Sequence, residues 1–151
     1  MTSKVFIDGA VALDAVWSDG PSRLMLRLGE AGAVRLCVSS RILHEIESAV
    51  RRKTPAALGP LAVLLDRCSV SVVPRAAAHV VDQASKLVND KNTACIVADA
   101  GAAGVDYFVT LDKERVLHNA RLADAAPFAA GTPEECISWL RGKLQSVATP
   151  L

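Results

Sequence analysis

The chain is poor in aromatic residues: only 4% of its 151 amino acids are Phe, Trp or Tyr. A surface that stacks nucleic-acid bases needs several aromatic side chains, so the composition argues against a base-stacking platform. The net charge is only +1, and overall charge therefore gives no indication of nucleic-acid binding. Hydrophobic residues make up 51% of the chain, which excludes a disordered protein and predicts a core of small aliphatic side chains.

Several common site motifs are also missing. The four cysteines lie far apart in apolar runs and form no Cys-x-x-Cys clip, which predicts buried free thiols in a reducing cytosol. The three histidines are scattered and match neither a zinc site nor a catalytic triad. No Gly-x-Gly-x-x-Gly or P-loop is present, so nucleotide binding is not supported.

Long apolar runs are absent as well. The longest candidate, residues 58–65, is interrupted by Gly59 and Pro60 and falls far short of the roughly 18 residues that a membrane helix needs. The N-terminus also lacks the charged-then-apolar layout of a signal peptide. We therefore expect no membrane contact, a cytoplasmic location and one domain over residues 1–151.

The apolar segments that are present are short and alternate with longer helical patterns. This alternation predicts an α/β fold, with helices covering a mainly parallel sheet. The predicted strands are residues 4–8, 34–38, 69–73, 106–110 and 128–130. Polar residues that can cap helices predict where several helices begin. The predicted helix starts are Ser22, Ser39 or Ser40, Thr93 after the polar turn 89–92, and Thr132 followed by Pro133.

Lone acids stand at the ends of predicted strands. Asp8 closes the first strand, Asp112 follows the strand that ends at Thr110, and Glu45 lies on the helix after the second strand. Open α/β sheets bind ligands beyond the carboxyl ends of their strands. Two carboxylates about 4 Å apart repel by roughly 4 kcal/mol at an effective dielectric near 20. The pattern thus predicts either a divalent-metal site or acids that never meet.

Neighbouring acids are less suited to such a site. Glu47 lies two residues after Glu45, about 200° around the helix, so only one of the two can face the cleft. Glu45 adjoins the apolar stripe of its helix and is the better candidate. Asp106 lies at the opposite end of its strand from Asp112 and is interpreted as structural, whereas the hydroxyl of Thr110 is placed to support Asp112.

Three segments together resemble the PIN domain. They are Ile7-Asp8, the Ser-x-x-x-Leu-x-Glu pattern that ends at Glu45, and the Gly-x-Asp-Tyr-x-Val-Thr-x-Asp pattern that ends at Asp112. The helix start at Thr132 resembles the one that often closes such chains. The resemblance covers about residues 4–144 and implies a three-layer α/β/α sandwich.

The resemblance also implies a function. PIN domains are typically Mg²⁺- or Mn²⁺-dependent ribonucleases, and many are VapC-type toxins of toxin–antitoxin pairs. It implies RNA as substrate, an antitoxin protein as a possible partner, a homodimer, and a cluster of acids that holds one or two metal ions. Asp8, Glu45 and Asp112 fall on three of the four acidic positions of the family. Lys91 or Arg115 would contact the phosphate backbone.

The chain departs from the family pattern at the fourth acidic position. Asn92, or Thr93 with a shift of one residue, stands there, and an amide oxygen brings no negative charge. Asp90 just upstream and Asp99 two helical turns downstream are alternative sources of the missing carboxylate.

The residues after Asp8 differ too. Gly9 and Ala10 replace a hydroxyl residue and an asparagine that often support the metal site. A second hypothesis is therefore a catalytically weakened or inactive module that binds RNA or a protein partner. A third hypothesis, a phosphatase or receiver domain, is disfavoured. Such domains need two acids close in sequence near the first strand, and Asp8 and Asp14 are six residues apart.

Overall fold

The apolar runs form the five strands of one sheet in a computed structural model, which describes residues 2–148 and their side chains up to residue 145. Every strand pairing in this sheet is parallel, so the prediction of a mainly parallel sheet is confirmed. The strands are β1 (Lys4–Ile7), β2 (Arg35–Ser39), β3 (Ser71–Val73), β4 (Tyr107–Val109) and β5 (Ala129–Gly131).

The strand order is β3-β2-β1-β4-β5, which puts β1 in the centre. Phe6 of β1 pairs with Cys37 on one side and with Phe108 on the other. The chain runs outward from β1 to β3 and then returns to the opposite side of β1 to form β4. The direction of the chain therefore switches between the paired strands β1 and β4. Open α/β sheets form their ligand crevices at such a switch point, beyond the carboxyl ends of the strands.

Helices flank the sheet and complete a three-layer α/β/α sandwich. They are α1 (Gly9–Trp17), α2 (Pro21–Glu30), α3 (Ser40–Lys53), α4 (Leu58–Arg67), α5 (Ala78–Ser85), α6 (Lys91–Ala102), α7 (Ala120–Ala125) and α8 (Pro133–Ala148). A 3-10 turn covers Pro55–Ala57 and a π-helical turn covers Lys113–Leu117. Within residues 2–148, no helix is both long and apolar enough to cross a membrane.

Side-chain caps explain several helix starts. The Ser39 hydroxyl accepts a hydrogen bond from the Ile42 amide at 3.1 Å and caps α3, as predicted. Thr132 and Glu135 form a reciprocal capping box at the start of α8, also at the predicted place.

Two predicted helix starts are wrong. Helix α2 begins at Pro21 after Gly20, because proline favours the first helical position, and Ser22 is buried inside the first turn instead of capping it. Helix α6 begins at Lys91, two residues before Thr93, because Asp90 caps it through the Thr93 amide.

The core beneath the sheet switch point is aromatic despite the low aromatic content. Phe108 is fully buried and its ring stacks on Phe6 at 5.2 Å and on Phe128 at 5.5 Å between centroids. The stacked rings of Phe6 and Phe108 thus join β1 to β4 near the carboxyl ends of the two strands.

The cysteines are buried free thiols, as expected, and burial raises the pKa of Cys37 to about 11.

Candidate active site

A cleft of about 380 Å³ opens beyond the carboxyl ends of β1 and β4. All three predicted acids line it, and so do Asn92 and Arg115. Its remaining walls are formed by small or apolar side chains, namely Gly9, Ala10, Leu13, Ile46, Thr93, Ile96, Phe108 and Leu111. The polar groups therefore converge on an otherwise apolar cleft, which is the usual character of a ligand site.

Asp8 is held by hydrogen bonds to both of its carboxylate oxygens. It directly follows β1 and caps α1, with Oδ1 accepting a bond from the Gly9 amide at 2.8 Å. Its Oδ2 accepts a bond from the Thr110 hydroxyl at 2.7 Å. The strand end, the helix start and the neighbouring strand thus fix the orientation of this carboxylate.

Thr110 connects Asp8 to Asp112. It is fully buried just after β4, and its hydroxyl oxygen accepts a bond from the Asp112 amide at 3.0 Å while the same hydroxyl donates to Asp8. The Asp112 Oδ1 accepts a bond from the Arg115 amide at 3.0 Å, and a guanidinium nitrogen of Arg115 lies 3.7 Å from Asp112 Oδ2. One buried hydroxyl therefore sets the positions of two acids.

Glu45 enters the cleft from α3. Its Oε1 accepts a hydrogen bond of 3.0 Å from the side-chain amide of Asn92 at the start of α6. Its Oε2 lies against Gly9, since a Cβ atom added to that glycine would stand 3.6 Å from this oxygen. Glu47, by contrast, is exposed, in line with the predicted helical phase.

Comparison with known families decides the identity of the fold. The family model described as the PIN domain matches residues 4–114, about three-quarters of the chain, and the match includes Asp8, Glu45 and Asp112. The chain belongs to the PIN-domain family. A comparison with curated protein sequences finds no match.

Two solved structures resemble this PIN domain in fold. VapBC2 from Rickettsia felis, solved bound to a DNA fragment from its promoter, superposes with a TM-score of 0.62 at 14% identity, over 85% of this chain and 98% of the other. VapC20 from Mycobacterium tuberculosis, a toxin that cleaves the sarcin–ricin loop, superposes with a TM-score of 0.54 at 16% identity, over 81% and 95%. At these identities the likeness supports the fold.

The acids of the PIN domain are electrostatically coupled. Burial is the largest cause that raises the pKa of Asp8, and the negative charges of Glu45 and Asp112 raise it further. The hydrogen bonds from Thr110 and Gly9 act in the opposite direction and lower it. The raised pKa means that the folded protein disfavours the ionised form of Asp8 relative to a free aspartate.

The raised pKa of Asp8, caused first by burial and then by the nearby acids, predicts a pH-dependent gain in stability for Asp8→Asn. Because the pKa of Asp8 is raised in the folded state, its contribution to stability is fully present below the unfolded pKa of about 3.8 and is lost as the pH rises through the folded value. Asparagine does not titrate. In urea unfolding with a metal chelator, the variant should therefore gain stability relative to wild type as the pH rises from 3 to 7. A gain that shrinks over this range would contradict the assignment.

The donor set of the cleft fits a hard divalent cation. Three carboxylates and an amide oxygen are the ligand types that Mg²⁺ and Mn²⁺ prefer. Within residues 2–148, however, no three His, Cys, Asp or Glu side chains are gathered tightly enough to form a ready-made cation site. The carboxylates line the wall of one cleft, and mutual repulsion opposes their closer approach.

The other predicted site residues lie outside this cleft. The Asp90 carboxylate caps α6 and accepts bonds from the Thr93 amide and hydroxyl, and these bonds lower its pKa. Asp99 is 1% exposed and accepts a bond from the Ala76 amide at 2.7 Å. Lys91 lines a separate surface depression near α5, which leaves Arg115 as the cation at the cleft.

The sequence interpretation missed Arg41. Its guanidinium lies 4.0 Å from the buried carboxylate of Asp99, so this arginine connects the first turn of α3 to α6. A signal was available, since a cation near a helix N-terminus opposes the helix dipole and calls for a nearby anion.

Proposed function

We propose that this PIN domain is an endoribonuclease that depends on Mg²⁺ or Mn²⁺. The observation that carries the proposal is the shared cleft, which Asp8, Glu45 and Asp112 line from beyond β1, from α3 and from beyond β4. Coupled acids at the carboxyl edge of a parallel sheet are costly to maintain, and a bound cation removes that cost. The family supports a nuclease, and one of the two structural neighbours is a toxin that cleaves an RNA loop.

In this proposal Asp8, Glu45 and Asp112 hold the cation, and Asn92 offers a neutral oxygen beside Glu45. A bound Mg²⁺ or Mn²⁺ supplies an activated water and stabilises negative charge at the scissile phosphate. The protein contributes the orientation of the ligands. Thr110 and the Gly9 amide hold the Asp8 carboxylate, and the Arg115 amide holds that of Asp112.

Arg115 is proposed to contact the phosphate backbone of the RNA. It lines the cleft, its side chain is 57% exposed, and its guanidinium already lies near the Asp112 carboxylate. A planar guanidinium matches two phosphate oxygens at once. An exposed ion pair contributes little to stability, so the arginine can exchange Asp112 for a phosphate at small cost.

The direct test uses the full chain and a fluorescently labelled single-stranded RNA. Cleavage should require added Mn²⁺ or Mg²⁺, stop when a chelator is added, and return when the metal is restored in excess. Absence of cleavage across varied RNA sequences, together with no Mn²⁺ binding at millimolar concentration in a calorimetric titration, would refute the nuclease proposal.

Replacing Asn92 with aspartate is expected to tighten Mn²⁺ binding about tenfold, or about 1.4 kcal/mol. The change restores a carboxylate beside Glu45, where the amide of Asn92 now donates a hydrogen bond, and an added negative charge strengthens attraction for a dication. Calorimetric titration of metal-free protein measures the effect.

Asn89→Asp provides the matched control, because Asn89 is exposed in the turn before α6 and does not line the cleft. It adds the same charge three residues away and should leave Mn²⁺ affinity almost unchanged. Equal tightening in both variants would mean that general charge, and not the position of residue 92, controls binding.

A toxin role is the finer part of the proposal. Both structural neighbours belong to the VapBC class, and this supports an antitoxin protein as partner. The proposal includes a homodimer as the assembled form. Induced expression of the chain alone should arrest bacterial growth, while Asp8→Asn should not. Continued growth at a protein level at which purified material cleaves RNA would argue against the toxin role but not against the nuclease.

An inactive binding module is the second candidate. The Asn92–Glu45 hydrogen bond favours it, because a neutral amide already satisfies one oxygen of Glu45 and leaves the cleft with one negative charge fewer than an acid at position 92 would give. In that case RNA should bind with equal affinity in chelator and in Mn²⁺, and remain intact.

A further inference from the structure

The most unusual buried group outside the cleft is the carboxylate of Asp99. It lies in the middle of α6 between Ala98 and Ala100, and only 1% of the residue is exposed. Its Oδ1 accepts a hydrogen bond from the Ala76 amide at 2.7 Å, but its Oδ2 has no hydrogen-bond partner among the described residues. A buried carboxylate is costly unless it is paired, so its partner matters.

That partner is Arg41, whose Nε lies 4.0 Å from Asp99 Oδ2 and is itself buried without a hydrogen bond in the described part of the chain. The arginine side chain is 26% exposed. A buried ion pair is poor evidence for stability, because apolar side chains of similar size often stabilise a core equally well. Such pairs do specify how two elements are aligned in some proteins, and the positions of these two residues suggest that use.

Both residues lie on helix faces that lead to the cleft. Arg41 is four residues before Glu45 on α3, and Asp99 is seven residues after Asn92 on α6. Residues with these spacings share one face of a helix. The same two helix faces are therefore joined twice, by Glu45 and Asn92 at the cleft and by Arg41 and Asp99 in the interior. Two separated contacts restrict the rotation of one helix against the other, which a single contact does not.

We propose that Arg41 and Asp99 are positioning residues, which align α3 with α6 so that the Glu45 carboxylate is presented to the cleft beside Asn92. The proposal rests on the proposed function only in that Glu45 is taken as a metal ligand. The alignment itself is a property of the protein without metal. Neither residue lines the cleft, so neither is placed to bind a cation there directly.

The first experiment reads the alignment without metal or RNA. The side-chain amide of Asn92 gives its own signals in a ¹H–¹⁵N correlation spectrum, and Glu45→Gln defines their position when the charged acceptor is lost. Asp99→Asn keeps an acceptor for the Ala76 amide but removes the charge. It should move the Asn92 signals in the direction of the Glu45→Gln spectrum, and adding it to Glu45→Gln should cause little further shift. The side-chain amide signals of Asn119, which bonds to Leu87 and Arg115 carbonyls, serve as the internal reference.

Arg41→Gln is the second variant, and it is useful if Asp99→Asn does not fold, because Arg41 is partly exposed. It should reproduce the shift, whereas Arg41→Lys keeps the charge and should restore the wild-type position at least partly. Folded variants in which the Asn92 signals stay at their wild-type positions would overturn the proposal. Equal shifts after Arg67→Gln, which breaks an exposed ion pair between α4 and α2, would also overturn it.

The second experiment reads the consequence for metal. Asp99→Asn and Arg41→Gln should each weaken Mn²⁺ binding about five- to tenfold in a calorimetric titration, and the weakening should vanish in the Glu45→Gln background because the path through Glu45 is already broken. Equal weakening in both backgrounds would overturn a role through Glu45. If wild type binds no Mn²⁺, the proposed function fails, while the spectra of Asn92 still decide whether the pair aligns the helices.

Discussion

Asp8→Asn is expected to reduce metal-dependent RNA cleavage by on the order of 10²–10³-fold or more, while the protein remains folded. Asparagine keeps the size of the side chain, can accept the Gly9 hydrogen bond and caps a helix as well as aspartate does, so α1 should be preserved. What disappears is the negative charge that would hold the cation. Asp112→Asn should have a similar effect, and initial cleavage rates at saturating Mn²⁺ together with thermal melts measure both.

The melting temperature distinguishes loss of chemistry from loss of fold. Asparagine removes a buried negative charge and its repulsion with Glu45 and Asp112, so Asp8→Asn should melt at or slightly above the wild-type temperature without metal. Asp106→Asn is the matched control. Asp106 is exposed at the opposite end of β4, where it accepts a bond from the Lys4 amide at 2.7 Å, and its replacement should leave cleavage unchanged. Cleavage that survives in both Asp8→Asn and Asp112→Asn would place the active site elsewhere.

The topology was predictable because each short apolar run predicted as a strand forms one, and acids follow two of these strands. Short apolar runs followed by lone acids put Asp8 and Asp112 at the carboxyl ends of their strands, and the parallel sheet brings those ends to one edge. Which face of α3 is buried was predictable from the helical spacing of its apolar residues. Burial of that stripe turns Glu45 toward the cleft and leaves Glu47 exposed.

The polar contacts around α6 were not predictable from local pattern. Asp90 lies at the start of α6 and Asp99 within it. Their spacing from Asn92 in the sequence left both as alternative metal ligands. The structure separates them by contacts that depend on tertiary packing: Asp90 caps the helix, whereas Asp99 meets a backbone amide after β3 and the guanidinium of Arg41. Asn92 lies between them in the chain and bonds to Glu45, 47 residues away.

Thr110→Val is expected to lower cleavage by about 10- to 100-fold although the hydroxyl contacts no substrate. The threonine hydroxyl bonds both the Asp8 carboxylate and the Asp112 amide, and valine has nearly the same shape without it. The bond to Thr110 also lowers the pKa of Asp8, so its loss should raise that pKa further and shift the acid limb of the pH–rate profile upward. The backbone bond from the Thr110 amide to the Gly131 carbonyl is unaffected, so β4 should remain in place.

Two further variants show whether orientation of the acids is the reason. Thr110→Ser keeps the hydroxyl and should recover most of the cleavage and the wild-type pH profile, even though it removes a buried methyl group. Thr93 lines the cleft, and its hydroxyl donates to Asp90 and to neither Asp8 nor Asp112, so Thr93→Val should change the rate little. If Thr93→Val were as damaging as Thr110→Val, or if serine at position 110 gave no recovery, the hydroxyl bridge would not be what positions the two acids. A selective loss at position 110 would mean that the ligand geometry is set by the buried hydroxyl that directly follows β4.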